Sequence, residues 1–284
     1  MGWKDKPSDP AKVWINSSIE IQILLACGWD CHACDQLSNY HGISFVKKGT
    51  MTVAQIQHFV DELKAVNGYF GRARIVGGEP TGHPKLAEII KLLHSELVAT
   101  GHIGHLEIVT NGDGQAKLEA LKPFIQKVRV SNEKDKQKHH SSNMRATPSS
   151  LGYEGKRCGQ PEFCGWSLSY YGFAPCSSGA GIMRLRDLMP QQQVVSLPVG
   201  KTDEVWPQLQ QLCNNCYHGL KDEDKVKCGT GTKPGQHALN TPNEDAWSHL
   251  APWLMGRQPN WPIYGQPQER SFESVPANPD AVIV

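Results

Sequence analysis

The chain has 284 residues, of which 39% are hydrophobic and 20% charged, with a formal net charge of +1. That balance is ordinary for a folded soluble protein, and it gives no overall electrostatic basis for binding nucleic acid or a membrane surface. No apolar run reaches the roughly 20 residues that span a bilayer, and MGWKDKPSDPAKVW at the N-terminus lacks the apolar region of a secretory signal, so a cytoplasmic protein is expected.

In chain order, residues 1–18 are polar and read as an N-terminal arm. IEIQILLA, 19–26, is a β-branched apolar run and reads as a buried strand that leads directly into Cys27. TVAQIQHFVDELKAV, 52–66, has apolar residues at helical spacing, with Thr52 as N-cap. ARIVGG, 73–78, is a second strand that ends in glycines, and KLAEIIKLLHSELVAT, 85–100, is a second amphipathic helix. HLEIVTNG, 105–112, is a strand and turn, AKLEALKPFI, 116–125, a helix, and KVRVSN, 127–132, a fourth strand.

Buried-type strands that alternate with helices imply parallel βα units. The expected fold class is α/β, a closed or partial (β/α) barrel, with functional groups at the C-terminal strand ends. Those ends carry CGWDC, GGEP, TNG and SN. Residues 133–157 are polar, 158–232 are cysteine-rich with weak periodicity, and 233–284 hold much of the proline. The expected division is an arm (1–18), a barrel (19–150), a small cysteine-rich α+β domain (151–232) and a C-terminal extension (233–284).

Nine cysteines, an odd number in a chain with no secretory signal, argue against a disulfide framework and for metal. Cys27, Cys31 and Cys34 form C-x3-C-x2-C on one short loop. Structural zinc sites take four closed ligands. Three thiolates with no nearby fourth fit a [4Fe–4S] cluster with one open iron better.

This loop at the end of the first strand resembles that of the radical S-adenosylmethionine (SAM) superfamily. The resemblance covers residues 19–132 and includes GGEP, Gly77 to Pro80, one βα unit later. It implies a cluster on Cys27, Cys31 and Cys34 whose open iron chelates the amino and carboxylate groups of SAM. Reductive cleavage of SAM would then give a 5′-deoxyadenosyl radical that abstracts a hydrogen atom from a substrate. Gly77, Gly78, Glu79 and Pro80 would hold the methionyl amino end. Thr110, Asn111, Ser131 and Asn132 would line the nucleoside. The family commonly has an aromatic residue before the third cysteine; here it is Ala33, whose backbone would contact adenine, with Trp29 nearby in the loop. The resemblance also implies oxygen sensitivity and an external electron donor such as a flavodoxin or ferredoxin. The substrate class stays open between a small molecule, a nucleotide or nucleobase, and a peptide. Tyr170, Tyr171 and Phe173 are candidates to wall its pocket, with ordinary core packing as the alternative.

Cys158, Cys164 and Cys176, then Cys213, Cys216 and Cys228, form a second set. YGFAPCS, with Gly172 and Cys176, resembles the strand–turn–cysteine element of SPASM and Twitch domains, which hold auxiliary [4Fe–4S] clusters. One auxiliary cluster is implied, on Cys176, Cys213, Cys216 and either Cys158 or Cys164, with Cys158 favoured. Cys228 is an alternative ligand. Zinc would suit the same thiolates. The contrasting function is a zinc- or Fe–S-binding scaffold or electron carrier without catalysis. It does not account for three cysteines at a strand end followed by GGEP.

Overall fold

β1 (Val13–Leu24) is central to the molecule, with β2 (Gly68–Gly77) on one side and β5 (Trp166–Ser169) on the other, both parallel to it. The computed structural model describes residues 6–28, 49–130, 161, 165–185, 196–199, 213, 216 and 263–266. β3 (Leu106–Thr110) and β4 (Lys127–Val130) continue the parallel set, and β6 (Gly172–Ala174) returns antiparallel to β5. The strand order is β4–β3–β2–β1–β5–β6. This open α/β sheet, with parallel βα units in sequence, is the partial barrel that the strand–helix alternation implies.

β1 begins six residues earlier than the apolar run implies, because Val13 and Trp14 pair with Gly68 and Tyr69. The early part of β1 is only half-buried and contains Asn16 and Ser17, so it lacks the continuous apolar signature of a buried strand. α1 (Val53–Ala65) starts at a capping box in which Gln55 N–H donates to Thr52 Oγ1 (3.2 Å) and Thr52 N–H donates to Gln55 Oε1 (2.9 Å). α2 (Leu86–Leu93) runs on into a wider turn over His94–Val98. α3 (Gln115–Glu119) is short and is followed by a 3-10 turn at Lys122–Phe124, since Pro123 cannot continue the α-helical hydrogen bonding. α4 (Ser177–Leu185) follows β6. Among the described residues no helix is long and apolar enough to cross a membrane.

Successive residues of a strand face opposite sides of its sheet. On one side Ile19, Ile21 and Ile23 of β1, Ala73 and Ile75 of β2, Leu106 and Ile108 of β3, and Trp166 and Leu168 of β5 join the core. α1 adds Ile56, Phe59, Val60 and Leu63 to this core, and α2 adds Leu86, Ile89, Ile90 and Leu93. On the other side, Ser167, Glu20, Arg74 and Glu107 occupy one row across four strands. Arg74 Nη1 lies 2.5 Å from Glu20 Oε1, and Arg74 Nε lies 3.6 Å from Glu107 Oε2. Arg72 Nη1 approaches Glu107 Oε2 at 3.8 Å, and Gln22 Nε2 donates to Ser167 Oγ at 2.8 Å. Ser177 Oγ of α4 donates to Glu20 Oε2, and Arg184 Nη1 donates to Gln22 Oε1 at 3.3 Å. The polar face is thus buried with its charges set in opposed pairs, the condition under which charge is tolerated inside a fold, although Arg74 Nε and Glu107 Oε2 make no hydrogen bond among the described residues.

Tyr264 fastens a C-terminal segment to this frame. Its side chain is wholly buried between Phe173 and His58, with ring centroids 5.4 and 5.0 Å away. Its N–H donates to Tyr170 O (3.0 Å), its hydroxyl donates to Glu62 Oε2 (2.5 Å), and Gln55 Nε2 donates to its carbonyl (2.9 Å). Burial, then the Glu62 contact, push the Tyr264 phenol well above its ordinary pKa, so it stays a donor. Phe173 also packs against Phe59, so it is a core residue, and Tyr171 is buried too. Tyr264→Phe, which strands the Glu62 contact, is expected to cost about 1–2 kcal/mol and Tyr264→Ala about 3–5 kcal/mol. A shift in the denaturant midpoint measures both, and a Tyr264→Ala midpoint equal to wild type would contradict this packing.

Candidate functional site

The exits of β1, β2 and β3 meet at one edge of the sheet because the residues after β1 and β2 bond to each other. Gly78 N–H donates to Leu24 O (2.6 Å), and Glu79 N–H donates to Ala26 O (2.7 Å). The two backbones run so close that a Cβ on Gly77 would lie 2.1 Å from Leu24 O, and one on Gly78 2.1 Å from Ala26 O. No side chain fits at either position, which is why the strand ends in two glycines. Ala26 precedes Cys27, so this stitching fixes where the cysteine loop begins.

Glu79 then turns inward. It is 6% exposed, and its carboxylate accepts four hydrogen bonds. Oε1 receives Thr81 N–H (3.0 Å), Thr81 Oγ1 (2.6 Å) and Thr110 Oγ1 (2.7 Å), and Oε2 receives the Asn111 N–H (2.6 Å). Two of those donors belong to the β2 exit and two to the β3 exit, so one carboxylate holds both. Pro80 opens a 3-10 turn over Pro80–Gly82 that Glu79 caps. Lys117 Nζ of α3 donates to Thr81 O (2.9 Å) and closes the back of the turn.

The β3 exit is a tight turn. Gly112 has φ +97°, Gly112 N–H donates to Thr110 Oγ1 (3.1 Å), and Asp113 N–H donates to Asn111 Oδ1 (2.9 Å). Asn111 Nδ2 points at Cys27 Sγ, 3.9 Å away. Cys27, Gly77, Gly78, Glu79, Pro80, Thr110 and Asn111 are therefore brought together. Cys31, Cys34, Ala33 and Ser131 lie outside the described residues.

Three participants were not visible in the motif. Thr81 supplies half of the donors to Glu79, and the signal for it is only its position two residues after the carboxylate. Asp113 orients the Asn111 amide. His83 is buried, with Nε2 2.8 Å from Met51 O and Nδ1 accepting from Lys85 N–H at 3.0 Å. The second bond fixes Nδ1 as acceptor and Nε2–H as donor. Burial lowers the His83 pKa, outweighing the opposite pull of the Met51 carbonyl, and favours this neutral form. Met51 N–H in turn donates to Ile23 O (2.9 Å). The chain that leaves β1 at Cys27 is thus pinned again beside β1 where it returns.

Of the later cysteines, Cys158, Cys164 and Cys228 lie outside the described residues. Cys176 stands at the head of α4, where Gly179 N–H donates to its Sγ (3.3 Å). β6 runs back from the site edge, so Ala174 is level with Ser167 and hence with Glu20, four residues short of the β1 end. Cys213 and Cys216 share one turn through Cys216 N–H to Cys213 O (3.1 Å). Among the described residues no group of three His, Cys, Asp or Glu side chains is disposed to hold a metal ion.

Glu79→Gln replaces one acceptor oxygen by an amide that faces donors. It is expected to cost about 1–3 kcal/mol, seen as a lower denaturant midpoint and faster amide exchange at both the β2 and β3 exits. Exchange altered at one exit alone would contradict a shared node.

Residues 21–131 match the family model of the Radical SAM superfamily. Among solved structures, that of BtrN in complex with AdoMet and 2-DOIA is similar at 16% identity, covering 79% of this chain and 98% of that chain with a TM-score of 0.44. No curated protein matches the chain. The matched segment runs from within β1 to just past β4 and contains Cys27, GGEP and TNG.

Proposed function

We propose that this protein is a radical SAM enzyme, with Cys27, Cys31 and Cys34 holding a [4Fe–4S] cluster and the GGEP and TNG exits receiving SAM. The observation that carries this reading is the convergence of Cys27, Glu79 and Asn111 at one sheet edge, joined by hydrogen bonds across three strand exits. The donor set fits: three thiolates on one loop suit iron and leave one coordination position for a further ligand. When bound, the cluster and SAM would supply reductive cleavage to a 5′-deoxyadenosyl radical that removes a hydrogen atom from the substrate.

The chain's own residues do the positioning. Gly77 and Gly78 keep the β2 exit flat against residues 24–26, so that main-chain groups rather than side chains face the ligand. Glu79 spends its carboxylate on Thr81, Thr110 and Asn111, and so holds the β3 exit in register with the β2 exit. The part of the site built by these strand exits is held in place by the fold itself. The electron that reduces the cluster before SAM is cleaved would come from an external donor of the flavodoxin or ferredoxin class.

An auxiliary cluster on Cys176, Cys213, Cys216 and Cys158 belongs to the same reading, although Cys176, Cys213 and Cys216 are not gathered into a metal-binding group among the described residues. Two features support it: the N–H donated to Cys176 Sγ at a helix start, which favours a thiolate, and the single turn that holds Cys213 and Cys216. Quantified iron and zinc distinguish it from a structural zinc site.

Cys31→Ala is expected to abolish 5′-deoxyadenosine formation from SAM under dithionite and to lower the iron content by about four atoms. A variant that still forms 5′-deoxyadenosine at the wild-type rate would contradict the assignment.

A further inference from the structure

The Asn111 side chain is held in one orientation by contacts that have no need of a ligand. Its main-chain N–H is bound to Glu79 Oε2 at 2.6 Å, which fixes the backbone at the end of β3. Its Oδ1 accepts from Asp113 N–H at 2.9 Å, so the oxygen end of the amide is committed to the turn. The nitrogen end must therefore point the other way. It meets Asp113 Oδ2 at 3.3 Å and Cys27 Sγ at 3.9 Å, within the longer reach of a sulfur acceptor. An amide has two N–H groups, and the two acceptors account for one each.

A donor aimed at a cysteine that ligates iron has a definite electrical consequence. An N–H dipole directed at a thiolate sulfur offsets part of its negative charge. Reduction adds negative charge to the cluster, so the donor favours the reduced form and raises the reduction potential. Resting on the reading that Cys27 is a cluster ligand, we propose that Asn111 is a positioning residue that acts through Cys27 and sets the potential at which the external donor can deliver its electron. Its grip on Asp113 and Glu79 is what keeps the amide nitrogen toward the sulfur.

Two substitutions separate this role from a purely structural one. Asn111→Ser is neutral and keeps an oxygen able to accept from the Asp113 N–H, so the turn survives, but its hydroxyl is too short to reach Cys27. Asn111→Asp also keeps the turn oxygen, removes both donors and adds a negative charge. The measurement is an EPR-monitored redox titration of anaerobically reconstituted full-length protein. The signal followed is the one that disappears in Cys31→Ala, which separates it from any auxiliary cluster. The midpoint is expected to move down in Asn111→Ser and further down in Asn111→Asp, with iron content unchanged. An unchanged midpoint in Asn111→Ser overturns the proposal, even if Asn111→Asp shifts, because charge alone would then be responsible. Loss of the cluster from both folded variants also overturns it, in favour of a role confined to the turn. A wild-type protein that lacks the Cys31-dependent signal would remove the cluster assignment itself, an outcome distinct from either of these.

Discussion

A carboxylate buried away from water must be surrounded by donors, and at Glu79 that requirement organises the site. Four hydrogen bonds converge on it, two from Thr81 and one each from Thr110 and Asn111. Each donor left without its acceptor would carry a desolvation cost of about 1–3 kcal/mol, so the β2 and β3 exits adopt one mutual arrangement. The β1 exit is joined by a different constraint, the backbone contact that Gly77 and Gly78 permit. Cys27 leaves from that junction, and Asn111 meets it from the third strand. Loops at strand ends have few packing contacts of their own, and here hydrogen bonds to one buried group replace them.

The sheet beneath divides its work between two faces. The helix-covered face is apolar and supplies the driving force for folding through the isoleucines of β1 and their partners on α1 and α2. The opposite face carries Glu20, Arg74, Glu107 and Arg72 in mutual contact. Such a face adds little net stability, but it is costly to disrupt one member at a time. Through Ser177 and Glu20 it also ties the helix behind Cys176 to the strand that leads to Cys27.

Much of this was legible in the chain itself, and the reasons differ by element. Thr52 and Gln55 announce the start of α1 because a capping box needs only local residues. GGEP and TNG mark strand ends because glycine is required where backbones touch or φ is positive. The apolar run over 19–26 reads as a buried strand, as it is, but nothing local shows what would surround Glu20 and Gln22 within it. Only the pairing of β1 with β2 and β5 shows that Arg74 and Ser167 stand beside Glu20 and bury it. The place of β5 next to β1, and the reach of Tyr264 to Glu62, depend on contacts far apart in the chain, which no local pattern records. His83 escaped notice for the same reason, since its partner Met51 lies 32 residues away; Asp113 meets Asn111 only two residues away, and what gives that contact its role is the place of the amide beside Cys27.

The account stands or falls on whether the cysteine loop carries a cluster with a position left for SAM. The most direct measurement is the EPR spectrum of the anaerobically reconstituted, dithionite-reduced protein, recorded before and after SAM is added. A reduced-cluster signal whose g-values change on addition of SAM is the predicted result, because an iron with only three protein ligands takes SAM directly. A signal that SAM leaves unaltered would contradict the account, as would a reconstituted protein that binds no iron at Cys27, Cys31 and Cys34.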